Sequence, residues 1–399
     1  MADEVVVIYH GEIMEAGPAE AIFNAPRHPY LKALLNAVPH FDMKPGERLV
    51  SLRDSDTAAR TVTMVERRPP PASDGPPLLA IDAVSKTFIA KRGGWFGGEE
   101  RRVHALSDVS LHIKRGECLG LVGESGCGKT TLSKVIMRAL TPDSGHLTYD
   151  LDGVPTDLLA LTPAELRRFR TRIQMVFQDP VNSLSPRMTV MNILREPLDI
   201  HGVGTRAERT ERVVELMQAV GLDPRFLNRY PHSFSGGQRQ RIGIARALAL
   251  SPDMLICDEP VSALDVSVQA QILNLLWDLR QELRLTYIFI SHNLAVVDYV
   301  ADRIAVMARG RIVELAPREV LFANPVHSYT RTLLKAVPYA DLNRPLDFRT
   351  LGRTDASDPA TWARPFRSTP NSAPLAYLPV GEDHFVLANP NANPKDWAA

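Results

Sequence analysis

The sequence predicts an α/β fold with a parallel core sheet, and three stretches carry that prediction. The octapeptide Gly123-Glu124-Ser125-Gly126-Cys127-Gly128-Lys129-Thr130 fits G-x-x-x-x-G-K-[ST], the phosphate-binding loop, and follows a short buried strand, Glu117 to Val122. The apolar run Met254-Leu255-Ile256-Cys257 ends in Asp258-Glu259, so a second buried strand delivers two carboxylates at its carboxyl end. The run Tyr287-Ile288-Phe289-Ile290-Ser291 ends in His292 in the same manner. Ligands of parallel α/β sheets gather at that edge.

Each element follows from its residues. Glycines in the loop let the backbone curl until successive N–H groups point at an anion. Lys129 can then reach the β- and γ-phosphates of a nucleoside triphosphate, and the Thr130 hydroxyl can sit on Mg²⁺. A helix from about Lys129 to Leu140, beginning with Thr130 and Thr131, adds the partial positive charge of its N-terminus. Asp258 is placed to hold Mg²⁺ through its water shell and Glu259 to orient the attacking water. Ser235-Gly236-Gly237-Gln238 precedes a helical stretch from Arg239 to Ala249, and a glycine pair at a helix start exposes N–H donors that form a second anion site. Gln178 follows Ile173-Gln174-Met175-Val176-Phe177, a strand end facing the site. Cys127 lies where backbone amides favour a thiolate, or is there only as a small residue that fits the loop.

These motifs together resemble the ATP-binding subunit of ABC transporters across residues 79 to about 320. Gly123 to Thr130 matches Walker A, Gln178 in Phe177-Gln178-Asp179-Pro180 the Q-loop, and Phe234 to Gln238 the signature, with Phe234 where leucine is usual and Ser233 where relatives often carry glutamate. Asp258 and Glu259 match Walker B, Ser262-Ala263-Leu264-Asp265 the D-loop, and His292 the switch histidine. The resemblance implies a P-loop ATPase of three parts: a parallel core sheet, an antiparallel β subdomain and an α-helical signature subdomain. It implies ATP and Mg²⁺ as ligands, with Thr130, Gln178 and Asp258 on the metal and Lys129, Gln178, Glu259 and His292 in catalysis. The signature turn, Ser235 to Gln238, would cap the γ-phosphate held by a second module, and Asp265 would pass contacts across that head-to-tail pair. An aromatic upstream of the loop often stacks on adenine in this family; Phe88 is the best-placed candidate, with Trp95 and Phe96 as competitors and core packing as the other reading of Phe88.

Composition narrows the setting. Basic and acidic residues balance at 46 each, which leaves no electrostatic footprint for nucleic acid. Three cysteines without metal or disulfide spacing imply a reducing compartment, and no cysteine follows Cys257 to build an iron–sulfur site. No apolar run approaches the roughly 18 to 20 residues needed to cross a bilayer, and Met1-Ala2-Asp3-Glu4 lacks a basic start. The expected location is therefore peripheral, on the cytoplasmic face of the inner membrane. Integral permease subunits would be the direct partners and a solute-binding protein an indirect one.

An internal repeat organises the chain. Ala2 to Pro39 aligns without a gap to Ala301 to Pro338, including Gly11/Gly310, Ile13/Ile312, Glu15/Glu314, His28/His327 and Tyr30/Tyr329. The first copy has no phosphate loop, signature or Walker B. Residues 1–40 are therefore expected to be the tail of a preceding ATPase module, from a truncated or misassigned start, with a regulatory arm as the alternative. Residues 41–78 are expected to be an extended, solvated Pro-rich linker. The module is placed at 79–320, its extension at 321–338, and an extended or partly disordered tail at 339–399. His28-Pro29-Tyr30, with Leu34-Leu35 and Ala37-Val38-Pro39, resembles the extension of the oligopeptide, dipeptide and nickel importers, although the second copy has Ser328 for proline. Peptide import is the function this implies. A soluble ABC ATPase without a transport role, an exporter and a non-catalytic module are the alternatives; the last is disfavoured by Glu259 and His292. Val5 to Tyr9 is expected to be a strand without its parent sheet, leaving an exposed apolar edge.

Overall fold

The computed structural model describes residues 2–41, 43, 47–49, 75–91, 100–337, 356–367, 373–392 and 397. An eight-stranded sheet forms the centre. Five of its strands run parallel, in the spatial order Ile173–Val176, Met254–Asp258, Thr286–Ile290, Cys118–Val122, Arg303–Ala308. The last three named are buried end to end, as strands covered on both faces must be. Alternation divides their side chains between two cores. Cys118, Val122, Leu255, Cys257, Tyr287 and Phe289 face the helical side. Leu119, Leu121, Met254, Ile256, Ile288 and Ile290 face the antiparallel sheet. Gly120 is required where the helix Leu294–Val300 crosses the sheet, because a Cβ there would lie 2.4 Å from Val297 Cγ1.

The antiparallel subdomain has four strands, in the order Glu100–Ile113, Leu79–Lys91, Ser144–Leu151, Val154–Asp157. The sequence anticipated the first two of these at 103–114 and 79–88. The helical subdomain comprises Pro163–Arg172, Val190–His201, Arg206–Ala219 and the signature helix Gly236–Leu248. The long helix Val266–Leu283 returns the chain between two core strands. The loop helix is shorter than expected, Lys129–Ile136, and the signature helix begins three residues earlier than expected because Ser235 caps it.

The two repeat copies fold alike. Glu4–Tyr9 pairs with Glu12–Pro18 and is followed by helices Ala19–Asn24 and Pro29–Asn36. Arg303–Ala308 pairs with Arg311–Pro317 and is followed by Arg318–Ala323 and Ser328–Lys335. Both hairpins carry a register shift at the same place, Val7/Ile8 and Val306/Met307.

Two expectations are corrected. The linker is not wholly solvated: Leu49 is buried with its carbonyl accepting from Asn274 Nδ2, Arg48 pairs with Asp278 at 2.7 Å, and the Phe41 ring meets that of Phe322. Scattered apolar side chains among polar ones were enough to dock this stretch; most of the Pro-rich run falls outside the described residues. Nor is the tail simply extended. Ala376–Gly381 and His384–Ala388 form a hairpin whose second strand pairs with Arg311–Pro317 and extends the central sheet. Trp362 and Phe366 are buried against the same unit. Pro379 sits on the sheet's outer strand, where a missing N–H costs no ladder bond.

Candidate functional site

All the sequence-predicted groups except the signature turn and Phe88 converge at the carboxyl ends of four parallel strands. The phosphate loop leaves Val122 with Gly123, Gly126 and Gly128 at positive φ, a region costly for any residue with a Cβ. At Gly123 a Cβ would meet Met307 O at 2.1 Å, so the residue is fixed by packing as well as by conformation. The loop encloses Lys129, whose Nζ donates to Gly123 O at 2.7 Å and Glu124 O at 2.8 Å and lies 3.7 Å from Cys127 Sγ. Ser125, Gly126 and Glu124 remain exposed at the mouth, and Thr130 and Thr131 open the helix that follows. The thiolate reading of Cys127 does not hold. Burial pushes its thiol up, outweighing the Lys129 charge and the loop amides.

Asp258 and Glu259 diverge from one strand end. Asp258 is buried; desolvation raises its carboxyl, helped by the adjacent Glu259 charge and opposed by Lys129 and by a hydrogen bond from Thr130. Glu259 turns the other way. Its φ of 47° is left-handed, an uncommon and strained conformation for a glutamate, held by its own N–H donating to Ile290 O at 2.9 Å. Its carboxylate is gripped from both sides. Gln178 Nε2 donates to Oε2 at 2.8 Å, and His292 Nδ1 lies 3.1 Å from Oε1. Glu259 is mostly shielded, with 16 % of its side chain exposed, whereas His292 presents 62 % to solvent. Asp179 shapes the segment after Gln178: backbone N–H groups of Asn182 and Val181 bond its carboxylate and hold it below the usual range.

The signature turn packs against the segment that follows the carboxylates. Ser235 Oγ accepts from Gln238 N at 3.3 Å and Gln238 Oε1 from Ser235 N at 3.0 Å, a capping box that starts the helix. The glycines face the helix after the carboxylates: a Cβ on Gly237 would lie 2.3 Å from Val268 Cγ1, and one on Gly236 3.6 Å from Leu264 Cδ2. Gly237 is thus small because the Val266–Leu283 helix passes close, whereas a Cβ on Gly236 would make only ordinary contact. Asp265 is the N-cap of that helix. Phe88 stands on the antiparallel sheet opposite Val103 and is 40 % exposed, so core packing does not account for it; Trp95 and Phe96 lie outside the described residues.

Two contacts to the loop were not legible from the motifs. Gly310 N donates to Cys127 O at 2.8 Å, and Glu124 N donates to the Tyr329 hydroxyl at 3.2 Å. Both partners belong to the second repeat copy. Only the repeat itself could have drawn notice to them, and it carried no hint of contact with the loop.

A glycine cradle enclosing a lysine, with paired carboxylates two strands away on the same parallel sheet, is the arrangement of a P-loop nucleotide-binding site. The comparisons give the family. The model described as "ABC transporter" matches residues 106–262, and that described as "Oligopeptide/dipeptide transporter, C-terminal region" matches twice, at 14–62 and 313–358. A dimeric ATP-binding cassette, MJ0796, in a post-hydrolysis state with ADP and Pi is 31% identical with a TM-score of 0.51, covering 60% of this chain and 98% of that one. CbiO1 of Clostridium perfringens, part of the transporter complex cbiONQ, is 28% identical with a TM-score of 0.52, covering 62% and 91%. The glutathione import ATP-binding protein GsiA of Pectobacterium atrosepticum is 43% identical over 395 residues, 98% of this chain and 62% of that protein. GsiA of Salmonella typhimurium is 43% identical over 389 residues, 97% of this chain and 60% of that protein. The chain therefore belongs to the ABC transporter ATP-binding family. It spans about three fifths of the length of these curated relatives.

Proposed function

We propose that this chain binds and hydrolyses ATP to power an ABC importer for peptides or similar small solutes. The observation that carries the catalytic half is Glu259, held at the rim of the phosphate loop between Gln178 and His292. The import half is supported by the double match to the oligopeptide transporter C-terminal region and by relatives whose name specifies glutathione, a tripeptide.

The chain's residues take these roles. The N–H groups of the 123–131 turn cradle the phosphates, and Lys129 exchanges the Gly123 and Glu124 carbonyls for phosphate oxygens. Glu259 orients the attacking water, and its strained backbone keeps the carboxylate aimed outward. His292, exposed beside it, meets the γ-phosphate. The donor set suits magnesium: Thr130 hydroxyl and Asp258 carboxylate are hard oxygens already bonded to each other, and Gln178 commits its Nε2 to Glu259, so its amide oxygen is the atom it has for a cation. A bound magnesium ion would neutralise charge developing on the β- and γ-phosphates. Phe88 offers a face for adenine.

Because Ser235 to Gln238 matches the family's signature, we propose that a second module, identical or different, completes the site head to tail. Phe177 and Val181, exposed apolar residues flanking Gln178, form the face toward the permease, at the cytoplasmic side of the membrane. No helix among the described residues is long and apolar enough to cross a membrane. Residues 2–38 are read as a second copy of a module's closing unit. The test is Glu259→Gln: it should bind ATP normally and turn over slower by roughly 10² to 10⁴. Near wild-type hydrolysis would refute the assignment.

A further inference from the structure

Two polar contacts reach the phosphate loop from the unit that follows His292. Gly310 N bonds Cys127 O at the hairpin tip, and the Tyr329 hydroxyl accepts the Glu124 N–H. Tyr329 is almost wholly buried, and its helix is capped by His327, whose Nδ1 accepts from Tyr329 N at 3.1 Å. The tail then closes over both braces. Trp362 packs edge-on against His327 at 4.8 Å between centroids and lies 6.3 Å from the Tyr329 ring. Arg309, next to Gly310, donates to Ser357 O. In the first copy the same helix carries Tyr30 behind the same histidine cap, but there the ring stacks on Tyr9 at 4.4 Å.

We infer that Tyr329 is a positioning residue for ATP binding: it holds the Glu124 amide so that the entry arm of the phosphate loop keeps its shape while Lys129 moves to the phosphates. Lys129 Nζ bonds both the Gly123 and the Glu124 carbonyls. When the ammonium turns to phosphate that tie is lost, whereas the Tyr329 bond to the Glu124 amide and the Gly310 bond to Cys127 O do not depend on Lys129. The C-terminal unit thereby sets nucleotide affinity, with the 356–366 segment pressing it onto the loop. This inference rests on the proposed ATPase role.

The test compares Tyr329→Phe with Tyr30→Phe in the full chain. Phenylalanine keeps the packed ring and removes only the hydroxyl. Tyr329→Phe should raise the dissociation constant for magnesium ATP by about fivefold, the scale of one net hydrogen bond. Exchange of the Glu124 amide, followed by hydrogen exchange of the 123–128 peptide, should quicken; kcat at saturation should stay within about twofold and the nucleotide-free melting temperature within about 3 °C. Tyr30→Phe should change none of these. An affinity unchanged within about twofold, unaltered exchange at Glu124, or an affinity loss accompanied by a larger fall in melting temperature overturns the inference. If wild-type chain bound no ATP, the ATPase reading would fall, and amide exchange alone would still decide the brace.

Discussion

Two regions of this molecule share a sequence pattern and differ in what surrounds them. Residues 2–37 and 301–336 build the same hairpin, the same register shift and the same pair of helices. Glu15 accepts the N–H groups of Arg27 and His28; Glu314 accepts those of Val326 and His327. His28 and His327 cap the final helix identically. Burial diverges at several matched strand positions, although Val7 and Ile22 are buried like Val306 and Leu321. Val6, Ile8 and Ile13 are 52, 60 and 65 % exposed, while Ala305, Met307 and Ile312 are at 0 %. The second copy lies between the loop strand on one side and the tail strand on the other; among the described residues the first copy's two strands pair only with each other. Local residues thus specify local geometry, and neighbouring strands decide whether that geometry is a core or an exposed edge.

The comparison can be broken in several ways. Only the second copy adjoins a phosphate loop and a water-orienting carboxylate, so all turnover should depend on that region: Glu259→Gln should abolish it to roughly one part in 10² to 10⁴, measured by phosphate release. Residual activity traceable to another segment would contradict the contrast. Ile312→Ala should cost about 2–5 kcal/mol in a urea titration, and the matching Ile13→Ala should stay within about 0.5 kcal/mol. Equal costs would mean the first copy is buried in solution. The smallest effect concerns pH. Burial, with Arg331 nearby, pushes the His327 imidazole down to about 3, so the folded chain keeps it neutral while the unfolded chain protonates it near 6.5. Stability is therefore complete above pH 6.5 and falls as pH drops toward 3, by about 2 kcal/mol at pH 5. His327→Asn, which can still cap Tyr329 N, should flatten that dependence.

Much of this was legible in the sequence. The core strands are continuous apolar runs and the motifs sit at their ends, so Asp258, Glu259, Gln178 and His292 fell into place from spacing alone. The helix Val266–Leu283 was readable because its apolar residues repeat at helical spacing. The tail hairpin was missed because Pro379 interrupts its alternation and its partner strand lies some seventy positions earlier, as the Glu314–Val386 pairing shows. The sequence left Cys127 open between a thiolate and a small residue that fits, because it shows the amides around a thiol and not how thoroughly the site is dried. Ser235 reads in the sequence as a candidate anion-binding turn, whereas its service as a helix cap and the closeness of Val268 to Gly237 needed coordinates. The Tyr329 contact to Glu124 joins residues 205 apart and leaves no local trace at all.

The most direct test of the account is an equilibrium titration of the purified chain with ATP and magnesium, beside Lys129→Ala. A loop that grips the triphosphate tail through main-chain amides and this buried ammonium predicts saturable binding by the natural chain and at least about tenfold weaker binding by the variant. Equal affinity in the two proteins, or no saturable binding by the natural chain, would contradict it.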